Sequence, residues 1–163
     1  MIYSKILQRK IPVSVERLKD RINGAYQYTY VVKDGTMTVG HVDLRDTPKG
    51  VYVMFMENEA PNYYSHFEKY ADLITVSHCK SRGMDTFEIA AEAGLNSHVQ
   101  HYKCGKRYFN DKINEYIKNL INSNPGKKDF DTKFLGNVKM FMPKELIEKY
   151  VNLLKSTPIT KCV

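Results

Sequence analysis

The chain has 163 residues, 42% of them hydrophobic, which suits one domain with a real core and would leave two domains cramped. No run of roughly 18 apolar residues occurs, and Met1 to Pro12 carries Lys5, Arg9 and Lys10 with no apolar stretch behind them, so neither a membrane span nor a secretory signal is expected. The formal charge of +7 is all C-terminal, because residues 1–96 hold 12 Lys and Arg against 12 Asp and Glu while residues 97–163 hold 13 against 6; such a half favours polyanionic partners, whether a nucleic acid, an acidic protein or a phosphorylated cofactor.

In chain order, Ser14 reads as the cap of a short helix carrying Val15, Leu18 and Ile22 and ended by Asn23-Gly24. Residues Ala25 to Lys33, rich in aromatic and β-branched types, and Thr36 to Arg45 read as a hairpin around Asp34-Gly35. Val51 to Met56 follows as a third strand, with Val51, Val53 and Phe55 on one face and Tyr52, Met54 and Met56 on the other. After Pro61 the period changes: Phe67, Tyr70, Ala71, Ile74 and His78 recur at helical spacing up to Arg82-Gly83. Thr86 to Ala91 is a short apolar run, and a strand reached through a helix is usually parallel to the strand before it.

Asn96 or Ser97 then begins a helix through Tyr102, ended by Gly105, and Ile113, Tyr116, Ile117, Leu120 and Ile121 mark another. Asn122 to Asp131 is a polar loop, Phe134 to Phe141 a strand, and Pro143 opens a last helix with Leu146, Ile147, Tyr150, Leu153 and Leu154. The expectation is a single α+β domain over residues 1–163, a mixed, mostly antiparallel sheet flanked by helices. Its core is 26–108, with a helix-strand-helix extension over 109–163.

Cys79, Cys104 and Cys162 are odd in number with no CxxC spacing, which argues against disulfides or a zinc ribbon and for a reducing cytoplasm. His98 and His101, with His78 and Cys79 upstream, lack a third ligand at diagnostic spacing, so no metal site is expected. Cys104, three residues after His101, is a conceivable nucleophile but reads better as a buried structural thiol. Walker A, GxSxG and HExxH sequences are absent.

The stretch from Met56-Glu57-Asn58-Glu59 through Asn62-Tyr63-Tyr64-Ser65-His66-Phe67, the helix to Arg82-Gly83-Met84, the next strand, and Asn96 to Tyr102 with Gly105 together resemble the core of the GNAT superfamily of N-acetyltransferases. The resemblance covers about half the chain. It implies acetyl-CoA as co-substrate, with its pyrophosphate on backbone amides of a loop at a helix N-terminus, where unpaired donors and the positive helix end suit phosphate.

The family's loop glycines are missing here, and Ser65-His66-Phe67-Glu68 reads as a capping box in which Ser65 caps the helix and Glu68 reaches back to the cap amide. Carried over residue by residue, the resemblance implies cofactor contacts from Met54, Phe55 and Met56 on the strand, from Asn62, Tyr64, Ser65, His66 and Phe67 in the loop, and from Asn96. Backbone amides between Tyr52 and Asn58 would hold the thioester carbonyl and pantetheine arm. Tyr102 matches the family tyrosine that protonates the departing thiolate.

Direct transfer to an amine also needs a base. Glu57, at the strand end, is the first choice, with Glu59 or His41 as alternatives. The amine acceptor is open: a small molecule or a protein, an acidic one being suited by the charge. The rival reading is a non-catalytic basic module for nucleic acid or an acidic protein. It rests on Lys103, Lys106, Arg107, Lys127, Lys128, Lys133 and Lys139 interleaved with Tyr108, Phe109, Phe130 and Phe134.

Overall fold

The computed structural model describes residues 1–22 and 25–159. Asn23-Gly24 and Cys162 therefore lie outside the described residues. The strands are β1 (Ile2–Ser4), β2 (Arg9–Ile11), β3 (Ser14–Ile22), β4 (Ala25–Asp34), β5 (Met37–Thr47), β6 (Gly50–Asn58), β7 (Tyr64–Ser65), β8 (Glu88–Ala93), β9 (Arg107–Tyr108) and β10 (Val138–Phe141). The helices are α1 (Phe67–Ser81), α2 (His98–Lys103), α3 (Asp111–Ser123) and α4 (Lys144–Ser156). Seven strands form one mixed sheet in the order β3-β4-β5-β6-β8-β10-β9, and β2-β1-β7 form a small second sheet. Among the described residues, no helix is long and apolar enough to cross a membrane.

The expected helix at Ser14 is instead strand β3. Val15 is buried and Leu18 is 49% exposed, so the helical spacing of these side chains does not mark a buried stripe. Nine cross-strand pairs with β4, from Ser14↔Lys33 to Ile22↔Ala25, decide the conformation. Long-range pairing overrides local periodicity here, as strand propensity commonly allows.

β3 to β6 run antiparallel, and β8, reached through α1, lies parallel to β6 as the crossover predicts. α1 covers one face of this sheet and is itself covered by α4, so it is buried on almost every side. That is why polar Asp72, Thr75 and His78 lie inside. A separate cluster of Val99, Tyr108, Ile117, Phe130 and Met140 packs α2 and α3 against β9 and β10.

β10 is shorter than expected, since Lys133–Leu135 forms a 3-10 turn before it. β9 pairs with β10 through Met140↔Tyr108 and Phe141↔Arg107, so α3 is an insertion between two paired strands. Pro143 sits at the cap of α4, one residue before its first turn.

Two irregularities place the site. The β5–β6 register shifts between Asp43 and Leu44, so Met54 of β6 is an extra, bulged residue. The strict alternation expected for Val51–Met56 therefore breaks: Val53 opposes Leu44 on the α1 side, Phe55 opposes Asp43 and Glu57 opposes His41 on the open side, and Met56 opposes Val42 back on the α1 side. In addition, the β6–β8 ladder ends at Val53↔Ala91. β6 continues to Asn58 along β5, while β8 continues along β10 to Ala93. The two parallel strands thus part from the bulge onward.

Candidate functional site between parted strands and an uncapped helix

The loop from β6 to α1 is tied down by its own polar groups. Asn58 Oδ1 accepts from the Ala60 amide at 3.0 Å and its Nδ2 donates to Tyr64 O at 3.0 Å. The amides of Tyr63 and Tyr64 both donate to Ala60 O. The Lys5 amide donates to Tyr63 O and Lys5 Nζ to Pro61 O, and Ser65 pairs with Tyr3 in the small sheet.

Tyr64 is only 5% exposed, and its hydroxyl donates to Asp34 Oδ2 at 2.7 Å, with burial pushing its pKa up to about 12. Its amide and side chain are both engaged within the protein, so Tyr64 is a strut of the loop, contrary to the expected cofactor contact. Asn62 is exposed, and Ser65 is half-buried with its hydroxyl 3.4 Å from His66 Nδ1.

The expected capping box is absent. His66, in the left-handed region at φ 62°, occupies the cap of α1 and makes no side-chain cap bond. Glu68 turns inward instead, pairing with His101 Nδ1 and, at 3.0 Å, with Lys106 Nζ. Lys106 also holds Asp72 at 2.7 Å. Burial alone would raise the Glu68 carboxyl, but Lys106 and His101 outweigh it and hold it at about 2. Burial raises Asp72 to about 6 against the pull of Lys106. Lys106 is raised despite its own burial by the two carboxylates.

Removing Glu68 from the cap leaves the first turn open. The first backbone bond is Tyr70 N–H to His66 O, and the amides of Phe67, Glu68 and Lys69 have no acceptor among the described residues. Three donors and the positive helix end therefore meet at the far end of the strand that leaves the ladder, beside the exposed side chains of His66 and Lys69. Phe67 itself is a core residue, 4% exposed. Met54 and Phe55, 43% and 51% exposed, stand where the strands part.

On the open face the structure brings His41 and Glu57 together as cross-strand partners. His41 Nδ1 lies 3.6 Å from Glu59 Oε2 and Nε2 lies 4.0 Å from Asp43 Oδ2. Ligand atoms of His41, Glu57 and Glu59 all fall within 4.8 Å of one another. Thr29 donates to Asp43 Oδ1 at 2.7 Å, and the Phe55 ring packs 5.6 Å from that of His41. Asp43 was missed in the sequence, where nothing marks it off from other strand-borne acids; its place follows from register alone.

Tyr102 follows His101, about 100° around the helix. Its ring is half-buried, packs against the second core cluster and lies under Arg107, whose Cζ is 3.9 Å from the ring centroid. Asn96 precedes α2, and its Oδ1 accepts from the Thr132 amide at 3.4 Å, a bond that fastens the 130s loop. The other histidines are core ties. His98 bonds Tyr108 at 2.5 Å and Gly136 O at 2.9 Å, and His78 bonds Tyr30 and Asp46. Cys79 and Cys104 are buried free thiols, both pushed up by burial, Cys79 to about 12. His101 is committed to Glu68, and burial, with the Glu68 and Asp72 carboxylates nearby, keeps the Cys104 thiol protonated.

Of the basic and aromatic residues named for nucleic acid, Lys103, Lys127, Lys128, Lys133, Lys139, Phe109 and Phe134 are exposed, and the others are engaged within the fold. Lys106, Tyr108 and Phe130 are buried, Arg107 is stacked on Tyr102, and Lys103 and Lys127 lie over the Phe130 ring.

Among solved structures, an acetyltransferase of Bacillus subtilis in complex with CoA matches with a TM-score of 0.51 at 15% identity, over 80% of this chain and 97% of that one. The chain has a GNAT-like fold. An IAA acetyltransferase from Bacillus cereus ATCC 14579 matches at 22% identity over 71% of this chain and 77% of that one, TM-score 0.48. A putative GNAT-family acetyltransferase from Bacteroides thetaiotaomicron matches at 11% over 79% and 71%, TM-score 0.32. No family model matches the sequence, and no curated protein does. Within this GNAT-like fold, α3 is the element inserted between β9 and β10.

Proposed function

We propose that the chain is an acetyltransferase that moves an acetyl group from acetyl-CoA directly to an amine. The observation that carries this is the parting of β6 from β8 at a bulge, on the strand that leads through β7 into a helix whose first-turn amides have no acceptor among the described residues. The CoA bound to the Bacillus subtilis structure of the same fold supports it. The residues present fit a pyrophosphate group: the amides of Phe67, Glu68 and Lys69 offer three donors, and the side chains of His66 and Lys69 offer positive or polar neighbours at the same end. When bound, acetyl-CoA supplies an activated acyl group on a thiol leaving group.

Backbone groups of Met54 to Met56, released from pairing with β8, line the cleft and orient the acyl carbonyl through amide donors. The acceptor comes from the open face of β5 and β6. His41, Asp43, Glu57 and Glu59 gather there, a local concentration of carboxylate that suits an ammonium despite the chain's net positive charge. Glu57, with His41 beside it, takes the amine proton at the carboxylate oxygen so that the nitrogen is neutral when it reacts. Tyr102 is the proposed proton donor to the leaving thiolate. The test is release of free thiol from acetyl-CoA in the presence of a panel of primary amines. Turnover with a cationic amine is expected, and no thiol release with any amine above the rate of hydrolysis would defeat the proposal.

A further inference from the structure

The sheet face under α1 carries a second feature, remote from the cleft. A cavity of 680 Å³ lies between the C-terminal half of α1, the end of α4 and strands β3 and β4. Its lining residues on α1 run from Ile74 to Ser81, seven to fourteen positions beyond Phe67, or about 10 to 21 Å along the helix axis. Such a volume is in the range that holds a small ligand.

The apolar wall is made by Ile74, Val151, Leu154 and Ile159. The lining includes three exposed cations, Arg17, Lys80 and Lys155. None of the three has a carboxylate within ion-pairing distance among the described residues. The one acid of the lining, Glu16, is already held by Lys33 at 2.9 Å. A partly open apolar pocket, with cations in its lining that have no carboxylate partner among the described residues, is complementary to a molecule with a chain at one end and a negative charge at the other.

The polar wall is fixed in advance. His78 Nε2 lies 2.7 Å from Asp46 Oδ1 and Nδ1 lies 2.6 Å from the Tyr30 hydroxyl. An ionised carboxylate can only accept, so Nε2 carries the proton and Nδ1 accepts from Tyr30. The Tyr30 proton is thus spent on His78, leaving its oxygen lone pairs for donors. The Arg17 guanidinium sits beside that hydroxyl and lowers its proton affinity against the larger effect of burial. Arg82 holds the far oxygen of Asp46 at 3.4 Å. A chain of contacts running Arg82, Asp46, His78, Tyr30, Arg17 therefore ties one cation of the lining to the polar wall.

We propose that this cavity binds a small amphipathic carboxylate, its alkyl chain among Ile74, Val151, Leu154 and Ile159 and its head on Arg17, Lys80 and Lys155. The site is separate from the acetyl-transfer cleft, and its occupancy depends on head-group charge as well as chain.

The experiment is calorimetric titration of the purified chain with decanoate, decanol and decylammonium, repeated with acetyl-CoA present. Decanoate is expected to bind saturably at one site, at least about tenfold more tightly than either other probe, with its affinity unchanged by acetyl-CoA. In Arg17→Gln/Lys155→Gln, both exposed positions, decanoate affinity should fall about tenfold or more while decanol affinity stays the same. Absence of saturable decanoate binding, equal binding of decylammonium, displacement by acetyl-CoA, or unchanged decanoate affinity in the double variant would each overturn the proposal.

Discussion

Glu68→Gln is the substitution that tests how the first turn of α1 is kept open. Gln preserves the size of the side chain and removes its charge, so Lys106 keeps only Asp72 as a counter-ion and His101 loses its partner. Glu68 is 9% exposed and Lys106 fully buried, so water cannot replace what is lost. Taking one member out of a buried charge cluster typically costs about 3–5 kcal/mol. The Glu68 carboxyl, held at about 2 against an ordinary 4.5, points to a contribution on the order of 3 kcal/mol.

In a chain of this size that corresponds to a fall in Tm of about 10 °C. Because the folded pKa lies below the unfolded one, the Glu68 contribution is fully present above pH 4.5 and lost as pH falls towards 2. Urea denaturation of both proteins across pH 3 to 8 should therefore give a gap that is flat at neutral pH and narrows below about pH 4.5. A gap under about 1 kcal/mol at neutral pH, or one that does not narrow in acid, would refute the assignment of Glu68 to this cluster.

Gly40→Ala should destabilise by about 2 kcal/mol, read as a lower urea midpoint, because a Cβ there would run into Glu57 O and meet the Phe67 ring at 2.7 Å. Tyr108→Phe strands the buried Nδ1 of His98 and should cost about 1–3 kcal/mol by the same measure; an unchanged midpoint would remove that bond from the account. Glu57→Gln should lower kcat by at least about 100-fold with little change in acetyl-CoA affinity. Tyr102→Phe should likewise lower turnover more than affinity, and full activity in either variant would strike that residue from the mechanism.

Much of the architecture could be read from local pattern because it is locally determined. α1 declares itself through Phe67, Tyr70, Ala71, Ile74 and His78, all of which the structure buries on the helix. The parallel placement of β8 follows from the helix that delivers it. What escaped depends on partners far away in sequence. Val15, Leu18 and Ile22 have helical spacing, yet β4 recruits that segment into the sheet.

The bulge at Met54 is invisible in the alternation of Val51 to Met56, since one extra residue is recognisable only against β5. Ser65-His66-Phe67-Glu68 has every residue of a capping box, but the alternative partners of Glu68 lie 33 and 38 positions away. The same holds at the open face. Glu57 and His41 stood out individually, whereas Asp43 and the closeness of Glu59 emerge only from strand register.

The central claim is that the open first turn of α1 holds the phosphates of a CoA thioester in the cleft beside β6. Calorimetric titration of acetyl-CoA into the intact chain and into Lys69→Glu tests it most directly, since Lys69 is exposed in that turn and its reversal leaves the core untouched. The account predicts saturable one-to-one binding to the intact chain and at least about tenfold weaker binding to the variant. No heat of binding up to about 1 mM acetyl-CoA, or equal affinity in the two proteins, would contradict it.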